Sequence, residues 1–378
     1  MRTINDEIKT ANAQCKAEIV KWYNARGIKM KVRLIAIVSL LLWIRPVWGA
    51  PQPFIDWNNL HNPVLSFPDW SIKDFALAPR NGVFYVFFSA FYEDHGQLRS
   101  HVVEVTTRDF KTYSQPIMNF DGEDAGFIGM CSPDVQKQGN LWELSFNSWG
   151  DEQNNSYHQL FYMTSHDLIH WSPRQPFAAN LTTGHGVDDL TVTRNGNRYY
   201  AMWKEAVNPH GLPRREAVEK SQTPPWNYGL RAQLAEAKSL SGPWQYIGSG
   251  YPTLNMADGK ENGLIHENFE FIWIDGKPNV LSSAYPKGHN AFLYTLLDPR
   301  HPLAWGNGMK LDLPTESFNQ LVPYDAGAIY DWRKQDGYFY LVYTGHNENT
   351  SYAHRGWNRM ALARSKDLVH WIPAGSDK

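Results

Sequence analysis

KDFALAPRNGVFYVFFSA, from Lys73 to Ala90, contains a complete hairpin. An acidic residue opens an apolar run, Asn81-Gly82 turns the chain, and an aromatic-rich run returns. Asn and Gly tolerate the positive φ that a two-residue hairpin turn demands. The same plan recurs as SPDVQKQGNLWELSFNSW from Ser132, VDDLTVTRNGNRYYAMWKE from Val187, ENFEFIWIDGKPNVLSSAY from Glu267 and DAGAIYDWRKQDGYFYLVYTGH from Asp325. Asn195-Gly196, Asp275-Gly276 and Asp336-Gly337 fill the turn slot, and Gly139-Asn140 fills it in the second copy.

A closing element follows most copies: TRDFKTY from Thr107, SHDLIHW from Ser165 and SKDLVHW from Ser365, with SLSGPW from Ser239 a shorter relative. Successive openings lie 55–78 residues apart, enough for a four-stranded sheet each, and helical periodicity is nearly absent after residue 50. The expected fold is therefore all-β: a five-bladed β-propeller with four antiparallel strands per blade, in which radial repetition protects the sheet edges. A β-sandwich would not produce five matching openings.

Around this repeat the chain offers less. Residues 30–50, MKVRLIAIVSLLLWIRPVWGA, carry Lys31 and Arg33, an apolar run from Leu34 to Ile44 and a small-residue exit at Gly49-Ala50, the pattern of a signal peptide. The apolar run is shorter than the roughly 20 residues of a membrane span. Residues 1–29 read as an extension ahead of the natural start, the alternative being a cytoplasmic segment on an uncleaved anchor, and 51–378 as one domain, secreted or periplasmic. Of the two cysteines, Cys15 would leave with the signal and Cys131 would have no internal partner. A net charge of -2 gives no basic surface for nucleic acid or for an anionic membrane. The 16 Trp and 19 Tyr supply flat apolar faces with polar edges, suited to sugar rings as well as to sheet packing.

In a propeller the first strand of each blade lines the central channel, so Asp74, Asp134, Asp189, Glu267 and Asp325 should converge on one axis. Gathered carboxylates repel one another unless protons, cations or chemistry make use of them. Glycosidic cleavage needs one carboxylate as base or nucleophile and one carboxylic acid to protonate the leaving oxygen.

The segments IKDFALAPRNGVFYVFFSA, CSPDVQKQGNLW, VDDLTVTRNGNRYYAMWK and ENFEFIWIDGK resemble those of the five-bladed propeller glycosidases of glycoside hydrolase family 43 and relatives such as family 62. The resemblance runs from about Asp74 to Trp371. It implies Asp74 as general base, Asp189 as the residue that orients and tunes the acid, with Asp188 the other register, and Glu267 as general acid. Strand alternation would put Glu267 and Glu270 on opposite faces, with only one of them in the channel. Asp134 would line the substrate pocket, with Asp188, His185, His266, Trp149 and Trp203 as further candidate sugar contacts. The expected chemistry is inverting hydrolysis of a plant- or algal-type glycan, arabinofuranosidase- or xylosidase-like, with like-charge repulsion from Asp189 keeping Glu267 protonated. A retaining propeller glycosidase and a non-catalytic glycan-binding propeller are the alternatives. Two features depart from the family pattern: Asn268-Phe269 stands where Gly-Pro usually follows the acid, and DAGAIYD lacks the His that accompanies a central calcium. No cofactor is expected to be required.

Overall fold

The computed structural model describes residues 55–149, 159–183, 186–206, 230–247, 265–285, 290–298, 300–347 and 357–376. The signal-like segment 30–50, the 208–227 loop and His185 lie outside them. Strands β1 (Ser71–Arg80), β2 (Val83–Asp94), β3 (Gln97–Thr107) and β4 (Met118–Phe120) form a first antiparallel meander. A second runs through β5 (Gly129–Gln138), β6 (Leu141–Trp149), β7 (Leu160–Ser165) and β8 (Gln175–Pro176), joined to the first by one parallel pairing, Ser100 with Gly129. Three separate four-stranded sheets follow: β9 (Gly186–Asn195) to β12 (Gln245–Tyr246), β13 (Ile265–Ile274) to β16 (Met309–Lys310), and β17 (Val322–Asp331) to β20 (Ile372–Pro373). Between them lie β10 (Arg198–Ala206), β11 (Leu230–Ala237), β14 (Lys277–Tyr285), β15 (Asn290–Thr295), β18 (Phe339–His346) and β19 (Arg359–Ser365).

The turn chemistry acts where the sequence indicates. Asn81 and Gly82, at φ 52° and 78°, and Asp275 and Gly276, at 50° and 76°, make two-residue turns of the twist a hairpin favours. Asp336-Gly337 does not. One helical turn, Arg333–Asp336, joins β17 to β18, and Gly337 at φ 88° ends it, because the longer WRKQDG connection can close its own backbone bonds before the return strand begins. The closing motifs are polar knots: Ser165 Oγ accepts the amides of Asp167 and Leu168, while Asp167 Oδ1 accepts those of Ile169 and His170. Ser365 and Asp367 repeat these bonds, and Thr107 and Asp109 make the corresponding ones.

Alternation explains the packing. Along β2, Phe84, Val86, Phe88 and Ala90 join a core shared with Trp332, Tyr340 and Val342 of the last sheet, whereas Tyr85 and Phe87 face Val135, Leu144 and Phe146 of the second meander. Each sheet thus buries both faces, and similar cores fill the spaces between the second and third, third and fourth, and fourth and fifth units. Each fully buried aromatic or aliphatic side chain contributes about 1.5–3 kcal/mol over an exposed one. Innermost strands neighbour one another in turn, β1 beside β5, β5 beside β9, β9 beside β13, β13 beside β17, and β17 beside β1. Residues before β1 dock on the last sheet. Asn62 imitates a strand residue there: its Nδ2 donates to Leu362 O and its Oδ1 accepts from Leu362 N, both at 2.9 Å. No helix among the described residues is long and apolar enough to cross a membrane.

Candidate active site

All five innermost strands break their pairing, β17 between Val322 and Ala326 and the other four by one shared kind of bulge. On β1, Lys73 pairs with Ser89 and Ala76 with Phe87, so three steps on one strand oppose two on the other. The same bulge lies between Cys131 and Asp134 on β5, between Asp188 and Thr191 on β9, and between Glu267 and Glu270 on β13. In each, the residue after the first of the pair is left-handed: Asp74, Ser132, Asp189 and Asn268, at φ 57°, 53°, 59° and 52°. A non-glycine residue adopts this conformation at a cost of about 1–2 kcal/mol, least for Asp and Asn. Bulges of this kind re-aim side chains next to sites of function.

The bulge overturns the alternation argument for the two glutamates. Glu267 pairs with Ser283 and Glu270 with Leu281, two residues apart on β14, so both glutamates occupy the same face. They line different spaces: Glu267 the cleft on the Lys204 and Trp149 side (the outer cleft), and Glu270 a second cavity with Asp134 (the inner cavity). Asp74, Ser132, Asp189 and Asn268 line both and form the partition between them. Acids that align in the sequence therefore line different spaces: Asp74 and Asp189 lie in the partition, Glu267 in the outer cleft and Asp134 in the inner cavity. Asp325 is buried beside Lys73, with Oδ2 3.5 Å from Nζ.

The partition is a connected polar network. Ser89 Oγ donates to Asp74 Oδ2 at 2.6 Å and accepts from Ser132 N at 2.8 Å. Ser132 Oγ donates to Asp189 Oδ1 at 2.7 Å, and Asn147 Oδ1 accepts the Asp189 amide at 3.1 Å. Asn268 Nδ2 donates to Asp74 Oδ1 at 2.7 Å and lies 3.5 Å from Asp189 Oδ1. Above it, the Lys204 ammonium stands 3.0 Å from Glu267 Oε2, 3.1 Å from Asp189 Oδ2 and 3.7 Å from Asp188 Oδ2. The expected repulsion between Asp189 and Glu267 is thus compensated by a cation between them.

Burial, reinforced by Asp189 and Asp325 and opposed by Lys73 and Ser89, raises Asp74 to about 6. A carboxylate there accepts a proton more readily than an exposed one yet remains ionised at neutral pH. In the inner cavity burial raises Asp134 to about 7 against its bonds from Thr191 and Gln136. Burial and the charge of Asp134 push Glu270 well above the usual range.

Of the residues singled out in the sequence, Asp74, Asp188, Asp189, Glu267 and Trp149 line the outer cleft together. Trp149 meets Phe91 edge-on at 5.3 Å, giving the cleft an aromatic wall. Three others lie elsewhere. Trp203 is fully buried in the core between the second and third units, its Nε1 donating to Glu205, so its ring faces no cleft. His266 precedes Glu267 and points to the opposite face, where it bonds Ser282 and packs against Tyr294; burial lowers it to about 4, leaving the ring neutral. Asp134, two residues past its bulge, is held beneath the cleft by Thr191 Oγ1 at 2.6 Å. Lys204, Lys73 and Ser132 went unread in the sequence, and Asn268 was read only as a departure from the family pattern. Lys204 had one available signal, a cation beside Trp203 in an aromatic strand, but its pairing with Asp188 follows only from the β9–β10 register.

Among the described residues no group of three or more His, Cys, Asp or Glu side chains is arranged to hold a metal ion. The channel carboxylates do not fit a calcium: Asp134 is engaged by Thr191 and Gln136, and Glu270 Oε2 accepts the Ile329 amide at 2.7 Å.

No family model matches the chain, and no curated protein matches it. Solved structures do. A glycosyl hydrolase from Bacteroides ovatus superposes with a TM-score of 0.56 at 15% identity, over 87% of this chain and 98% of the other. An alpha-L-arabinofuranosidase from Lactobacillus brevis gives 0.54 at 12% identity over 85% and 97%, and a GH43_1 enzyme from Xanthomonas citri, complexed with xylotriose, 0.54 at 14% over 83% and 94%. The chain shares their fold. The likeness extends over nearly the whole of each of those chains.

Proposed function

We propose that this protein is a secreted glycoside hydrolase built as a five-bladed β-propeller, with the cleft above the partition as its active site. The observation that carries the reading is the convergence of Asp74, Asp189 and Glu267, from three different sheets, on one cleft with an aromatic wall at Trp149 and Phe91. The five-blade reading is supported by five four-stranded meanders, the first two joined in one eight-stranded sheet, whose innermost strands neighbour one another in turn. The signal-like residues 30–50 are the support for export.

In this reading Asp74 is the general base, its proton affinity raised by burial, and takes a proton from the water that attacks the anomeric carbon. Glu267, held ionised by Lys204 in the free protein, takes up a proton as the bound glycan excludes water from the cleft, and gives it to the departing glycosidic oxygen. Asp189, bonded by Ser132 and ion-paired to Lys204, fixes the charges around Glu267. Water enters opposite the leaving group, so the product has inverted configuration, which requires the base and acid carboxyls to stand about 6.5–9.5 Å apart. Sugar faces stack on Trp149, which takes the place that the sequence gave to both tryptophans. Pentose-containing glycans head the substrate series, because fold neighbours include an arabinofuranosidase and an enzyme complexed with xylotriose.

The test is hydrolysis of aryl α-L-arabinofuranosides, β-D-xylosides and galactosides and of the matching oligosaccharides, with the product anomer followed by NMR. Turnover with inversion, abolished in folded Asp74→Ala and Glu267→Ala variants, supports the reading. Retention of configuration refutes the roles given to the two carboxylates, and glycan binding without turnover by the unaltered protein refutes hydrolysis.

A further inference from the structure

Asn268 sits at the bulge of β13 in a left-handed conformation, φ 52°. Its side chain crosses from the fourth sheet to the first, donating to Asp74 Oδ1 at 2.7 Å, with Asp189 Oδ1 of the third sheet 3.5 Å from the same nitrogen. The orientation of the amide is fixed chemically. Ionised carboxylates only accept hydrogen bonds, so Nδ2 must face them, which leaves Oδ1 3.3 Å from the Ser283 hydroxyl oxygen. That hydroxyl carries one proton, shared between Asn268 Oδ1 and the backbone carbonyl of Asp325 on β17.

The two oxygens of Asp74 thus have one dedicated donor each, Ser89 on Oδ2 and Asn268 on Oδ1. Ser89 belongs to the strand beside Asp74; Asn268 comes from the sheet that carries Glu267. We infer that Asn268 is a positioning residue of the proposed hydrolytic site, holding the Asp74 carboxylate in its ionised form at a fixed angle to Glu267. This deepens the proposed function and rests on it. A neutral amide suits the position, because Asp74 already faces Asp189 on β9 and Asp325 on β17, with Lys73 on β1 as its cation and the thiol of Cys131 on β5 and the phenol of Tyr324 on β17 within electrostatic reach. Lys204, Asp188 and Glu267 share the cleft. Another acid in place of Asn268 would add repulsion, and another cation would hold the base too weakly basic to take a proton.

Asn268→Gly removes the amide while accepting the left-handed backbone without strain, so the variant keeps the bulge. Asn268→Asp keeps the size and adds charge. An N–H donated to a carboxylate stabilises the ionised form, so its loss raises the Asp74 pKa. The expected shift of the acid limb of kcat/KM is upward by roughly one pH unit in Asn268→Gly, a tenfold change in ionisation constant, and further in Asn268→Asp. The Asp74 carboxyl signal of carboxyl-¹³C-aspartate protein, assigned through Asp74→Asn, should titrate correspondingly later whether or not a substrate has been found. A Ser283→Ala variant, which leaves the donor in place, should move neither titration by as much. If the Asp74 signal of Asn268→Gly titrates as in the unaltered protein, the inference is overturned while the hydrolytic reading stands; if the signal shifts but no glycoside is cleaved by the unaltered protein, the hydrolytic reading fails and the amide's hold on Asp74 remains.

Discussion

Asp134→Asn should make the protein more stable at alkaline pH and leave it nearly unchanged at acid pH. Asp134 is buried in the inner cavity, and burial raises it from 3.8 to about 7 in spite of bonds from Thr191 and Gln136. Between those two values the native state binds a proton that the unfolded chain has released. Its contribution to stability is therefore fully present below pH 3.8 and is lost as pH rises through 7. At 1.36 kcal/mol per pH unit, the loss amounts to roughly 4 kcal/mol as an upper figure, since a buried cavity relaxes around a new charge. Asparagine has the shape of the protonated acid, keeps an acceptor for Thr191 and Gln136, and cannot ionise. Urea unfolding of both proteins from about pH 4 to 9 should give free energies that coincide at the acid end and separate by about 2–4 kcal/mol at the alkaline end, the variant being the more stable. Glu270 and Glu143, both pushed up in part by the Asp134 charge, should also hold their protons less tightly in the variant. Parallel curves would refute the assignment of a buried, protonated Asp134.

Asp74→Asn should lower kcat by about 10²–10⁴-fold with little change in melting temperature, as removal of a general base requires; the unaltered enzyme's kcat/KM should fall below about pH 6, where Asp74 takes up its proton. Trp203→Ala should cost about 3–5 kcal/mol in urea unfolding because it empties a core position, while the milder Trp203→Phe should leave KM unchanged. A raised KM in that variant would return Trp203 to the substrate. Asn62→Ala should destabilise by about 2–3 kcal/mol, since both strand bonds to Leu362 are lost in a partly buried seam; hydrogen exchange at the Leu362 amide should accelerate with it.

The sequence by itself determined the elements and their order. Period-two alternation with Asn-Gly and Asp-Gly turns is a local code, because φ tolerance and the strand pleat act within a few residues, and it predicted the hairpins at Asn81-Gly82 and Asp275-Gly276 correctly. The closing motifs were equally legible: Ser and Asp bonding their own backbone need no distant partner. Asp74, Asp189 and Glu267 emerged among five acids that open the periodic repeats, and the family resemblance singled out these three. Only the tertiary structure decided where those openings stand relative to one another. A bulge adds one residue to one strand of a pair, which no count along a single strand detects, and it reversed the expected separation of Glu267 from Glu270 and sent Asp134 below the cleft. Trp203 and Trp149 look alike as residues in aromatic strands, yet one fills a core between sheets and the other walls the cleft. Lys204 and Asn268 act through contacts with other strands and sheets, 63 residues from Glu267 for the lysine and 194 from Asp74 for the asparagine. Distances of that kind are set by how the sheets close on one another, so the charge balance of the site belongs to the assembled fold and not to any stretch of its sequence.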